Sequence, residues 1–228
     1  ATGDYWMGEI FVTPPDSFNA VEVGGAITGR IFTKLRSTDY QLDIVAILSN
    51  AIYTAFTGSV RVDPVTGGSG GANCGAGSLA AAAALPGVAT AVDVAISSGG
   101  RVTTPNFNVT TAYPDVRFRI QYPTTSPTII VCSSDNFTIR PDTLTVTSTD
   151  ATNTGTSGTP AIKTGANFNL TANGGAGYTG TPSNNSTSKI TGTPTAGTLG
   201  GSFTPAASNA ASGTFFYSEV GNFGLLAD

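Results

Sequence analysis

Residues 129–141 read Ile-Ile-Val-Cys-Ser-Ser-Asp-Asn-Phe-Thr-Ile-Arg-Pro, and this stretch decides the predicted fold. Two short apolar runs are separated by a polar break at residues 133–136, and a proline closes the second run. Short apolar runs bounded by turn residues and proline are typical of β-strands. We interpret the polar break as the boundary between two β-domains.

Both sides of this boundary carry one sequence pattern. Apolar residues alternate with other residues first at Tyr40, Leu42 and Ile44, and again at Phe168, Leu170 and Ala172. An aromatic-Thr-Gly triplet follows each run, and a Tyr-x-acid-Val motif stands near the end of each half, at residues 113–116 and 217–220. A period of two predicts half-buried strands, so the repeat predicts two β-domains in tandem.

The predicted fold class is all-β, with tandem immunoglobulin-like β-sandwiches joined by Gly/Thr/Ser-rich loops. Many short strands at turn-marked intervals, without a long amphipathic helix, indicate sandwiches, and a tyrosine near the start of the penultimate strand is typical of the immunoglobulin type. We predict an extended N-terminal segment at residues 1–22, a first sandwich at 23–134 and a second at 135–228. The second is expected to be incomplete, because the sequence stops soon after its penultimate strand.

Composition narrows the function classes. Charged residues make up only 11% of the chain and the net charge is −4, so no basic stripe is available for nucleic acid. No apolar run is long enough to span a bilayer as a helix. The abundance of Gly, Thr and Ser predicts an exported chain, either processed or a fragment, since no signal peptide is visible at Ala1.

The absence of histidine bears on catalysis and on metal binding. The chain has no histidine, which removes Ser-His-Asp catalysis and ordinary zinc hydrolase sites. The Gly-rich run at residues 67–71 resembles a nucleophile elbow only formally, since no base can activate its serine. Asp135 and Asn136 with Asp142 form the one cluster with oxygen ligands suited to calcium. Asp39 and Asp43 are too close together to flank a sugar ring as paired glycosidase carboxylates, and we expect them on solvated faces. We predict no enzyme activity, no catalytic residue, no metal and no cofactor.

The two cysteines, Cys74 and Cys132, are predicted to form one disulfide. Export favours an oxidised pair, and closing a loop of this length stabilises a protein by about 4 kcal/mol on the chain-entropy estimate. Two free buried thiols are the alternative.

The N-terminal stretch is the candidate interaction element. Tyr5, Trp6, Ile10 and Val12 lie in an extended, largely alternating run that precedes the first repeat. One interpretation is that this strand is donated to a sheet of another copy, which would build a filament. The alternatives are packing on its own first domain, or a sugar-stacking platform at Tyr5 and Trp6.

Five stretches of the chain resemble the large domain family found in MshQ, a protein of mannose-sensitive haemagglutinin pilus biogenesis, and in related bacterial surface proteins. They are Phe18-Asn19-Ala20-Val21-Glu22, Thr28 to Lys34, Tyr113 to Arg117, Cys132 to Pro141, and Tyr217 to Gly221. The resemblance implies an exported or cell-surface protein linked to type IV pili, and no catalytic residues come with it.

The sequence therefore predicts a non-enzymatic surface protein of bacteria, acting as an adhesin or a pilus-associated structural module. Its expected partners are pilus or surface proteins, or further copies of itself. A second interpretation is a subunit of a self-assembling extracellular filament joined by strand donation. A third is a carbohydrate-binding module, whose ligands would be glycans.

Overall fold

A computed structural model describes residues 13–66, 91–150, 162–183, 190–193, 197–220 and 222–225. Within these ranges the chain is all-β, as predicted, and its strands form four sheets. None of the described residues belongs to a helix that could span a membrane.

The first two sheets contain strands from the N-terminal part of the chain. Sheet one contains β1 (Ser17–Val21), β3 (Asp43–Leu48), β4 (Ala51–Ile52) and β7 (Arg101–Thr103), with β1 on one side of β3 and β4 and β7 on the other. Sheet two contains β2 (Lys34–Leu35), β5 (Gly58–Thr66), β6 (Val92–Ile96), β8 (Tyr113–Tyr122), β9 (Ile129–Cys132) and β10 (Phe137–Arg140). Its order is β2-β10-β8-β5-β6, β9 also pairs with β8, and β2 runs parallel to β10.

The other two sheets are built from the C-terminal part. Sheet three has the order β11-β12-β15-β14, where β11 is Thr145–Thr147, β12 is Phe168–Asn173, β14 is Leu199–Phe203 and β15 is Ala210–Tyr217. Sheet four is the antiparallel pair β13 (Ile190–Thr193) and β16 (Asn222–Leu225).

A large hydrophobic cluster contains side chains from both of the first two sheets. Val116, Phe118 and Ile120 of β8 are completely buried, as the alternation of that strand predicts. Several rings meet here, including Phe107 and Phe118, whose centroids lie 4.9 Å apart at 75°. The other buried members are Phe18, Ala20, Ile31, Tyr40, Leu42, Ile44, Ala46, Phe56, Val60, Val62, Val94, Ile96, Val109, Phe137 and Ile139. Burial on this scale makes the cluster the main source of hydrophobic stabilisation.

A smaller cluster lies on sheet three. Its buried members are Phe168, Leu170, Ala172, Phe203, Ala211, Phe215 and Tyr217. Aromatic rings here cover glycines: Phe216 lies over Gly200, and Tyr217 lies over Gly197. A larger side chain at Gly197 would displace the buried Tyr217 ring, so close packing requires glycine there, whereas Phe216 is 42% exposed and its ring can shift toward solvent.

The alternating run at Tyr40, Leu42 and Ile44 lies in the large cluster, and its counterpart at Phe168, Leu170 and Ala172 lies in the small one. However, β3 is not half-buried as predicted, because Asp43 and Val45 on its other face are also buried. The segment after β1 covers this face: Gly24 donates its amide to Asp43, and Arg101 donates to the carbonyl of Gly25.

Three details of the predicted repeat and domain bounds differ from the structure. Tyr113 begins β8, whereas Tyr217 ends β15, so the second tyrosine does not head a strand as predicted. The predicted domain boundary at 134/135 falls inside sheet two, because β10 pairs with β8 and its Phe137 and Ile139 belong to the large cluster. Phe18 and Ala20, placed in the predicted extended segment 1–22, are in the same cluster.

Candidate functional site: the polar clasp and the junction between the clusters

The polar break after β9 forms a set of hydrogen bonds that we call the polar clasp, made by Asn19, Ile31, Ser133, Ser134 and Asp135. Asn19 accepts from the amide of Ser134 at 2.8 Å, and Asp135 accepts from the amide of Ile31 at 2.7 Å. The Ser133 hydroxyl accepts from the amide of Phe118 and donates to the carbonyl of Asp135. The break therefore ties β1 and the segment before β2 to sheet two.

Asp43 is a second centre of buried polar contacts. Its carboxylate accepts hydrogen bonds from the Gly24 amide, the Thr103 hydroxyl and the Arg101 guanidinium, at 2.8, 2.6 and 2.9 Å. Burial by itself raises the pKa of Asp43, but these three hydrogen bonds and the charge of Arg101 outweigh it and leave the pKa below its usual value. Asp43 is therefore charged at neutral pH and holds β7 and the segment after β1 on β3.

Every described aspartate accepts a hydrogen bond from another part of the chain. The acceptors are Asp16, Asp39, Asp43, Asp63, Asp93, Asp115, Asp135, Asp142 and Asp150. Their partners are backbone amides, asparagine side chains and arginines, so these carboxylates connect strands and loops. Some of these bonds, such as Asp93 with Arg61, reinforce strands that are already paired, and others, such as Asp135 with Ile31, hold a loop on a sheet.

The parts of the chain that carry the two clusters contact each other at a junction, which consists of Arg36, Thr111, Ala112, Asp142 and residues 174–178. The amide of Ala112 donates to the carbonyl of Ala176 at 2.8 Å. Arg36 donates its Nε hydrogen to Asp142 at 2.7 Å, and this hydrogen bond holds the pKa of Asp142 below its usual value. The junction thus joins the large cluster's sheet to the loop that follows β12.

Two glycines make the close approach at this junction. A Cβ built on Gly177 would lie 2.2 Å from the carbonyl oxygen of Ala112, and one on Gly175 would lie 2.4 Å from the Arg36 guanidinium. Both glycines have positive φ, +78° and +73°. At Gly177 an L side chain is disfavoured by the backbone and also excluded by the Ala112 backbone. At Gly175 the positive φ favours glycine, and the Arg36 side chain would have to shift to make room for a Cβ.

Beside the junction lies a shallow crevice. It is lined by Arg140, Pro141, Asp142, Thr143, Leu144 and Tyr178. The ring of Tyr178 packs on Gly174 and Gly180, and partial burial raises the pKa of its hydroxyl. Its volume of about 180 Å³ is below the range of about 300–1,000 Å³ that is usual for small-molecule sites.

The residues predicted as interaction and disulfide sites are mostly outside the described part of the chain. Tyr5, Trp6, Ile10, Val12 and Cys74 all lie there, so strand donation stays a prediction. Cys132 ends β9, where it pairs with Arg119 of β8 and is half-buried. Its disulfide with Cys74 also stays a prediction.

The candidate calcium ligands do not converge. Asp135 bonds to Ile31, Asn136 donates to Asp115, and Asp142 accepts from Arg36, so each faces a different element. Among the described residues, no group of three or more Asp, Glu, Cys or His side chains is placed to hold a metal.

Sequence reasoning missed the junction altogether. Its residues are distant in sequence, from Arg36 through Asp142 to Gly177, and each is unremarkable by itself. The one local signal was the run Gly-Gly-Ala-Gly-Tyr at residues 174–178, whose glycine density indicates a close backbone approach.

No protein-family model, curated protein or solved structure matches this chain.

Proposed function

We propose that this chain is a non-enzymatic structural module of an exported bacterial surface protein, an adhesin or a component associated with type IV pili. The observation that carries the proposal is the use of every described aspartate as a hydrogen-bond acceptor between strands and loops. Such bonds suit a structural module, because an element that is held by additional side-chain bonds resists local opening. The resemblance to the MshQ domain family supports the same assignment.

The proposed fold is a tandem of immunoglobulin-like sandwiches. In support, the order β10-β8-β5-β6 in sheet two corresponds to the strand order G-F-C-C′ of variable-type immunoglobulin domains. The order β1-β3-β7 in sheet one corresponds to A-B-E. Tyr113 at the start of β8 has the position of the tyrosine that begins strand F.

Co-sedimentation with purified type IV pili tests the proposal. We expect the protein to pellet with mannose-sensitive haemagglutinin pili and to stay in the supernatant when pili are left out. A protein that remains in the supernatant at saturating pili contradicts the pilus association.

A self-assembling filament is the second candidate, and the edge of sheet three favours it. β14 pairs with β15 and ends the order of that sheet among the described strands. A strand edge of this kind accepts an extended segment from another chain, and the proposed donor is the run at residues 5–12. In the same assay the filament pellets without pili, and removal of residues 1–12 abolishes this pelleting.

A further inference from the structure

We propose that the junction is a rigid joint, in which residues 174–178 dock on Arg36 and Ala112 and fix the small cluster against the large one. The inference rests on the proposed function as a structural module, and it specifies how the two halves would act as one body. It is carried by backbone geometry on both sides of the contact.

The loop at residues 174–178 is held in shape by hydrogen bonds within the C-terminal part of the chain, independently of its contact with Arg36 and Ala112. Asn173 accepts from the amide of Gly175, and Asn209 accepts from the amide of Gly177, both at 2.8 Å. The amide of Gly174 donates to the carbonyl of Asn209 at 3.1 Å. Because these bonds restrain the loop, little conformational freedom remains to be lost when it docks.

The receiving surface is equally restrained. The amide of Arg36 donates to the carbonyl of Arg140 at 2.9 Å, which ties Arg36 to β10. Its guanidinium then reaches Asp142, in the connection between β10 and β11, and covers Gly175. Thr111 and Ala112 immediately precede β8, the central strand of sheet two. Both surfaces are therefore extensions of strands that belong to packed sheets.

The joint is separable from the two cores. None of Arg36, Ala176 and Gly177 is a member of either hydrophobic cluster. Opening the joint breaks the hydrogen bond between Ala112 and Ala176 and parts the glycines from Arg36 and Ala112, while the buried strands stay paired. The joint therefore sets the relative geometry of the halves, and each core can stay folded without it.

The exchange rate of the Ala112 amide hydrogen reports directly on the joint, since that hydrogen is bonded to Ala176 across it. Gly177→Ala introduces a methyl group where the Ala112 carbonyl oxygen lies. Gly165→Ala is the matched control, because Gly165 has nearly the same φ, +75°, and a Cβ added there would have no atom within 4 Å. Both substitutions impose the same backbone strain, but only the first meets the other half of the chain.

We expect the Ala112 amide to exchange about tenfold faster in Gly177→Ala than in Gly165→Ala, with the amides of Phe118 and Phe215 unchanged in both. Small-angle scattering of the full chain is expected to show a larger radius of gyration for Gly177→Ala alone. Equal Ala112 exchange in the two variants, or an unchanged scattering profile, overturns the joint.

Arg36→Met provides a second variant should Gly177→Ala fold poorly. It keeps an unbranched apolar stem and removes the guanidinium that bonds to Asp142 and covers Gly175, so we expect faster Ala112 exchange with both cores still protected. An unchanged Ala112 rate in this variant also counts against the joint. Pilus co-sedimentation is read separately: a protein with a rigid joint that does not bind pili contradicts the proposed function and leaves the joint standing.

Discussion

Asn19 and Ser134 are joined by two hydrogen bonds although 115 residues of chain separate them. The Ser134 amide donates to Asn19 Oδ1 at 2.8 Å, and the Asn19 amide group lies 2.8 Å from the Ser134 hydroxyl. Asn19 also donates to the carbonyl of Ile27 at 2.6 Å and is 4% exposed. One buried side chain thus connects β1 to the polar break that follows β9.

Replacing Asn19 with alanine is expected to lower the free energy of unfolding by about 1–3 kcal/mol, because this buried side chain makes three hydrogen bonds, to the Ser134 amide, the Ser134 hydroxyl and the Ile27 carbonyl, and all three are lost. Urea denaturation followed by tryptophan or tyrosine fluorescence measures this loss. Asn106→Ala is the control, since exposed Asn106 donates only to Asp39 at 3.2 Å and its loss is expected to stay below about 0.5 kcal/mol. Equal losses in the two variants contradict the clasp.

The sequence predicted the strands around this clasp, but it placed a domain boundary between them. The apolar run that ends at Pro141 was recognised as a strand, which is β10 with Phe137 and Ile139 buried, and residues 133–136 were recognised as a break. Period-two alternation shows which side chains face a core, but it carries no information on which strand lies alongside. Pairing of β10 with β8 and β2 depends on residues far away in the chain, so a turn within one sheet was interpreted as a boundary between domains.

The candidate site could not be predicted from the sequence for the same reason. Charge pairs such as Arg36 with Asp142 span about half the chain, and neither residue stands in a recognisable motif. Buried Asp43 was placed on a solvated face, because a lone aspartate in an alternating strand is normally exposed. Its burial depends on Arg101 and Gly24, which are brought to it only by the fold.

Tyr40 is expected to tolerate loss of its hydroxyl. The residue is 8% exposed, and its hydroxyl oxygen has no hydrogen-bond partner in the part of the chain that the structure describes. Tyr40→Phe therefore removes an uncompensated buried polar group, and stability near neutral pH should be unchanged or raised by up to about 1 kcal/mol. Tyr40→Ala is the contrast, because it removes ring contacts with Phe107, Phe118 and Phe137 and is expected to cost about 3–5 kcal/mol.

Tyr40→Phe should also change how the stability of the protein depends on alkaline pH. Burial raises the pKa of Tyr40 in the folded protein, whereas a tyrosine in the unfolded chain has a pKa of about 10. The folded state thus holds its proton more tightly, and stability falls as pH rises above the unfolded value. At about pH 11 this residue accounts for a loss of about 1.4 kcal/mol that Tyr40→Phe removes. Urea midpoints of the two proteins at neutral and alkaline pH measure it, and parallel pH profiles contradict it.

Each of two arginine–aspartate pairs has one member on β5, and they differ in how deeply they are buried, so they show how burial changes the contribution of an ion pair to stability. Asp63 pairs with Arg119 of β8 and its side chain is 5% exposed, whereas Asp93 pairs with Arg61 and is 47% exposed. Asp63→Ala is expected to lower the free energy of unfolding by about 3 kcal/mol or more, because it leaves a largely buried guanidinium without this carboxylate. Asp93→Ala should cause a much smaller loss, since water screens its pair. The thermal unfolding midpoints of both variants measure the difference, and equal decreases in the midpoint argue against an effect of burial.

The predicted disulfide between Cys74 and Cys132 is expected to be formed in protein made under oxidising conditions. Reduction should then raise the intact mass by about 2 Da and lower the free energy of unfolding by about 4 kcal/mol. Mass spectrometry with an alkylating reagent, before and after reduction, reads the state of both thiols. Full alkylation without reductant means that the bond is absent.

Chain fragments test where the first folding unit ends. A fragment of residues 13–144 retains β10, with Phe137 at 4% and Ile139 at 1% exposure, and it keeps the pairing of β10 with β8. A fragment of residues 13–134 loses both side chains and also the bond from Ile31 to Asp135. Removing two buried side chains of this size costs more than about 5 kcal/mol, which is comparable with the whole stability of a typical domain.

We therefore expect the fragment 13–144 to unfold cooperatively and the fragment 13–134 to lack a cooperative transition, as followed by circular dichroism and by dispersion of amide signals. The substitution Ile139→Ala in the longer fragment is the intermediate case, and it should keep the fold with a lower midpoint. If the shorter fragment unfolds as cooperatively as the longer one, the first unit ends at the polar break and β10 is dispensable. If both fragments are unfolded, the large cluster needs the second half of the chain, and the two clusters are parts of a single folding unit.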